Sequence, residues 1–142
     1  MASPISLSQI QAGWVILGLG DTMNAISYLS DLKEELDYVL NLDREINNKA
    51  IMLEMESDGA LCIQTLLDYG CLYITIFRIY DDKLRPYTYR YRYKEFLTYY
   101  LKEMEANRDL YIKEFIFSEE DEEDYVWENE NYLDLRRKVM EE

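Results

Sequence analysis

The stretch Cys71–Tyr93, CLYITIFRIYDDKLRPYTYRYRY, decides the fold. Its first ten residues are rich in β-branched and aromatic side chains. Alternation puts Tyr73, Thr75, Phe77 and Ile79 on one face and Leu72, Ile74, Ile76 and Arg78 on the other. Apolar residues on both faces predict a central strand covered on both sides. Asp81-Asp82-Lys83 marks a turn and Pro86 the re-entry. Tyr87–Tyr93 then repeats with a period of two: Tyr87, Tyr89, Tyr91 and Tyr93 against Thr88, Arg90 and Arg92. A helix cannot present that pattern on one face, so it reads as a strand.

Working outward, Ser57-Asp58-Gly59 and Asp68-Tyr69-Gly70 are turn signals. They divide the preceding sequence into strands at 49–56 and 60–67, completing a meander with 71–80 and 87–93. Leu110–Phe117 (LYIKEFIF) reads as a fifth strand, 110–117. Helical spacing is clearest at 22–42, where Ile26, Leu29, Leu32, Leu36, Val39 and Leu40 recur behind a cap at Asp21 or Thr22. Asp31, Lys33, Glu34, Glu35 and Asp37 fall on its outer side. Helices are also expected at 94–106 and 125–139. Gly13–Gly20 (GWVILGLG) reads as a buried strand or tight loop, and residues 1–11 as irregular. Its glycines do not form a dinucleotide-binding fingerprint. The fold class is α+β: a single domain with a mostly antiparallel four- to five-stranded sheet, spanning 1–142 and carrying an acidic segment at 118–142.

The chain has 142 residues and a formal net charge of −14. That charge disfavours direct binding of nucleic acid or of anionic membrane, and favours a basic protein partner. No apolar run approaches the ~20 residues needed to span a bilayer, and no signal-like segment opens the chain, so a cytoplasmic protein is expected. Cys62 and Cys71 read as buried thiols. The sequence contains no histidine, the usual general base and zinc ligand. No nucleophile sits beside a recognisable base, so no enzyme activity, cofactor or metal is expected. A monomer is the simplest assembly.

Three groups of residues could carry function. The first is the run Glu119, Glu120, Asp121, Glu122, Glu123 and Asp124, followed by Tyr125 and Trp127. Six adjacent carboxylates repel one another unless solvated or met by a cationic partner. Adjoining aromatics have the chemistry of interface anchors, although they could equally pack the last helix onto the body. The second is Arg78, Lys83, Arg85, Arg90, Arg92 and Lys94, interleaved with tyrosines. It could stack bases, or it could pair with the acidic segment while the tyrosines pack. The third is Glu54, Glu56 and Asp58, a weak Mg²⁺-site pattern that an outward strand face also explains.

The stretches GWVILGLGDTMNAISYLSDLKEEL (Gly13–Leu36), IMLEMESDGALCI (Ile51–Ile63) and EEDEEDYVWENE (Glu119–Glu130) complete this profile. It resembles the immunity proteins of bacterial polymorphic-toxin systems, especially those that neutralise nucleases, including wall-associated, tRNA-cleaving contact toxins. The resemblance implies a cationic toxin domain bound and blocked stoichiometrically. A nucleic-acid-mimicking inhibitor of a host defence nuclease, from a phage or mobile element, is the alternative. A metal-dependent enzyme built on Glu54, Glu56 and Asp58 is a third.

Overall fold

The structure, a computed structural model, describes residues 3–11, 14–27, 31–55, 59–79, 86–115 and 127–141. Its architecture is α+β. A three-stranded antiparallel sheet contains β1 (Ile5–Gln11), β2 (Trp14–Leu19) and β3 (Thr22–Ser27), in that order. A four-stranded antiparallel sheet follows as β4 (Asn48–Glu54), β5 (Ala60–Asp68), β6 (Cys71–Ile79) and β7 (Tyr87–Arg92). An isolated bridge, Ile26 to Met55, links the two sheets. The helices are α1 (Leu32–Leu40), α2 (Tyr93–Ala106), α3 (Arg108–Phe115) and α4 (Glu130–Met140).

The meander follows its sequence pattern closely. Ile51, Ile63 and Ile76 stand in one cross-strand row on the inner face, and Thr65 and Ile74 pair in the next. These rows and the inward residues of the smaller sheet form one core with Leu36, Phe96, Leu97, Tyr100 and Leu135 from the helices. Tyr69 (φ 49°) and Gly70 (φ 77°) make the two-residue turn between β5 and β6, where both positions need a left-handed backbone.

Four expectations are corrected. Residues 1–11 are not irregular: 5–11 form β1, with Ile5, Leu7 and Ile10 buried. Gln9 takes a positive φ of 49°, and the register with β2 shifts between Ser8 and Gln11. This bulge breaks the alternation that would have marked the strand. The expected helix at 22–42 splits into β3 and α1. Gly20 and Asp21 make a tight hairpin that returns Thr22 opposite Leu19, so Ile26 packs from a strand. The expected strand at 110–117 is the helix α3 as far as Phe115, and 116–117 lie outside the described residues: the Tyr111 N–H donates to the Asn107 carbonyl (2.9 Å), and the helix buries the adjacent Tyr111 and Ile112 together, which strand alternation would send to opposite faces. Finally, among the described residues the larger sheet is covered on one face only. Among those residues its outer face stays open, with Tyr73, Thr75 and Phe77 half-buried and Met52 and Ile79 exposed.

The other predicted elements match within a few residues, α4 beginning at Glu130 where a helix is expected from 125. Cys62 and Cys71 are free thiols on the outer face; Cys62 is buried and Cys71 half-buried. No described helix is long and apolar enough to cross a membrane.

Gly20 is fixed twice over. Its φ is +59°, and a Cβ there would lie 2.4 Å from the Tyr89 ring. Gly70 has φ +77° but open space around it. Gly70→Ala is therefore expected to cost only the left-handed strain, about 1–2 kcal/mol. Gly20→Ala adds the collision and should cost about 3 kcal/mol. Urea unfolding of both variants, and of Gly20→Ala combined with Tyr89→Ala, measures the difference. Equal costs at the two glycines would refute the packing role of Tyr89.

Candidate functional site

The helical layer is assembled around two charges. Asp31 caps α1, its side chain accepting the Glu34 N–H (3.2 Å). Four residues apart on α1, Lys33 and Asp37 lie on one side of the helix. The sequence pattern put them on the outer, solvated face. They are instead buried, with side-chain exposures of 1% and 0%, and the Lys33 Nζ sits 2.7 Å from Asp37 Oδ2.

The pair is held by further hydrogen bonds and by aromatic rings. The ammonium also donates to the Trp127 carbonyl (2.5 Å) and lies 3.7 Å from the centre of the Tyr132 ring and 4.6 Å from that of Trp127. Asp37 accepts from the Tyr100 hydroxyl (2.6 Å) and from Asn129 Nδ2 (2.9 Å). Tyr111 accepts the Lys33 backbone N–H (3.1 Å). The Trp127 indole donates to Glu105 (3.4 Å), which also accepts from the Tyr132 hydroxyl. The pair thus joins α1 to α2, α3 and α4. Burial pushes the Asp37 carboxyl up and the Lys33 ammonium down, while the partner's charge opposes each shift.

This arrangement decides how the sequence candidates are read. Trp127 is fully buried, edge-on to Tyr111 (6.1 Å between centres) and Tyr132 (6.0 Å). Its ring, indole N–H and carbonyl are all committed to the core, so it packs the end of the chain and offers a partner no surface. Glu119, Glu120, Asp121, Glu122, Glu123, Asp124 and Tyr125 lie outside the described residues. Their neighbours along the chain are fixed at both ends: α3 buries Tyr111 and Ile112 before them, and Trp127 is buried after them. In the sequence, the acidic run lies between these buried residues.

The basic segment is divided. Arg78 joins the sheets, its Nε donating to Asn24 (2.9 Å) and its Nη2 to the Met23 carbonyl (2.7 Å). Lys94 donates to the Glu141 carbonyl. Arg90 and Arg92 are exposed on the outer face of β7, while Tyr89 and Tyr91 turn inward; Lys83 and Arg85 lie outside the described residues. Glu54 is described, but Glu56 and Asp58 are not, and no metal-binding cluster occurs among the described residues. Sequence reasoning missed the Lys33–Asp37 pair. The only available signal was an i,i+4 Lys–Asp spacing, which also fits a solvated helix face.

Beyond this network, a cleft of about 280 Å³ opens between the start of β1, the β2–β3 turn, the end of β7 and α2. Compared with known proteins, the chain matches no family model, no curated protein and no solved structure. The fold class, α+β with two antiparallel sheets and a helical layer, therefore rests on the structure alone.

Two expectations follow from the buried network. Lys33→Met or Asp37→Leu alone strands a buried charge and should cost about 3–5 kcal/mol, whereas the double variant should cost clearly less than the sum. Chemical denaturation checks this, and additivity would show that the pair does not act as a unit. The second concerns alkaline pH. Burial raises the phenols of Tyr93, to about 12, and of Tyr100, Tyr111 and Tyr132 above the usual 10. The unfolded chain then releases these protons first, so stability present below pH 10 is lost as the pH rises toward 12. Lys33, Lys49 and Lys138, lowered from 10.5, work in the opposite sense, but the raised phenols, which also include Tyr89 and Tyr91, outnumber them. Tyrosinate absorbance and circular dichroism should change together over this range. Ionisation of these tyrosines at pH 10 with the fold intact would contradict their burial.

Proposed function

We propose that this chain is a non-enzymatic, immunity-type binding protein that occupies and blocks a cationic toxin domain, with a nuclease as the partner. The observation that carries this reading is where the charge sits. The run Glu119–Asp124 supplies −6 of the net −14, in a span only six residues long. It is joined to the body through the buried Tyr111 and Ile112 on one side and the buried Trp127 on the other.

A nuclease must present cationic side chains to its substrate's phosphates. A dense row of carboxylates can occupy the same side chains and keep the substrate out. The strong field accelerates encounter, toward the order of 10⁸ M⁻¹s⁻¹ at low salt. In this reading the protein acts in the cytoplasm as a monomer, without cofactor, and tRNA-cleaving toxins are among the partners it suits.

The test is affinity capture from the source cell's lysate and secreted fraction, at low and high salt. A single basic partner with a nuclease domain, held more tightly at low salt, is expected. Replacing all six acids of 119–124 by lysine should slow its association at least about tenfold at low salt and flatten the salt dependence, with the fold retained. Unchanged association would remove the run from the mechanism. Recovery of a host defence complex would replace the toxin by the alternative target.

A further inference from the structure

The 280 Å³ cleft has a composition that the core does not require. It is lined by Tyr91, Phe96 and Tyr99, with Pro4 and Gly20 opposite and Arg92 and Glu95 at its polar side. The Phe96 ring is buried and packs 5.0 Å from Tyr91, while Tyr91 and Tyr99 are only half-buried. Asp21, next to Gly20, accepts from the Tyr89 hydroxyl, and its charge reaches Tyr91. Glu95 and Arg92 are both exposed. Neither has a hydrogen-bond or ion-pair partner among the described residues.

We propose that this cleft receives a basic side chain, an arginine guanidinium or lysine ammonium, from a protein partner. Aromatic faces attract cations, and the exposed Glu95 carboxylate lines the cleft beside them. The volume lies near the lower end for ligand sites and suits one long side chain. The net charge of −14 selects cations over anions before contact. Among the described residues Arg92, at the end of β7, is the one cation lining the cleft and opposes such an occupant. The inference rests on the reading that the partner is cationic, and it gives that partner a second point of attachment, separate from the acidic run.

The probes are N-acetyl-arginine N-methylamide and the matching lysine and glutamate derivatives, followed by NMR of the ring protons of Tyr91, Phe96 and Tyr99. Saturable shifts are expected with arginine and lysine and not with glutamate. Glu95→Gln, a change at an exposed position, should weaken arginine binding up to about fivefold. Arg92→Ala should tighten it by up to a similar factor. The absence of saturable shifts would overturn the proposal. So would glutamate binding that is lost in Arg92→Ala, which would make the cleft a carboxylate site. The lysine-substituted 119–124 variant, which loses most of the net negative charge, should still bind the arginine probe with saturable shifts at the same ring protons, though more weakly at low salt. A failed probe titration therefore leaves the acidic-run reading standing, and failed capture leaves the cleft result intact.

Discussion

The buried Lys33–Asp37 pair is the constraint on which the helical layer depends. A charge removed from water is tolerated only when it is paired and its remaining hydrogen-bonding capacity is filled. Here that requirement reaches into α2 and α4. Tyr100 comes from α2, Asn129 from the cap of α4 and Tyr132 from α4 itself, while Trp127 supplies its carbonyl and its ring; Tyr111 of α3 is tied to the same turn of α1 through the Lys33 backbone N–H. A purely apolar layer could slide or repack with little loss. A buried ammonium with one carboxylate, one carbonyl and two aromatic faces has a single good geometry.

That geometry bears on the acidic run. Trp127 is the first described residue after it, and its backbone carbonyl is held by Lys33. The outer face of the larger sheet carries few charges among the described residues, with Arg90 and Arg92 on β7 as its basic edge.

The meander was legible because a strand pattern of period two, interrupted by Asp-Tyr-Gly, admits few other arrangements. Cys71–Ile79 and Tyr87–Arg92 fall where the alternation puts them, and α2 begins one residue before its predicted start. The errors have definite causes. A bulge at Gln9 hid β1, and Ile26 fitted both a helical and a strand period until its pairing with Val15 decided it. Tyr111 and Ile112 could line a strand or a helix, and the burial of both neighbours against one core decided for the helix.

The sequence by itself determined the α+β class, the four-strand meander, the acidic charge and its concentration in 119–124, because alternation, turn chemistry and charge are local properties of the chain. Tertiary structure alone decided that Lys33 and Asp37 are buried, that Trp127 belongs to the core, and that Tyr91, Phe96 and Tyr99 meet Glu95 at a cleft. Those outcomes depend on which distant side chains arrive to satisfy a charge or cover a ring. An i,i+4 Lys–Asp pair has the same sequence whether water or Tyr100, Asn129 and the Trp127 carbonyl completes its hydrogen bonds.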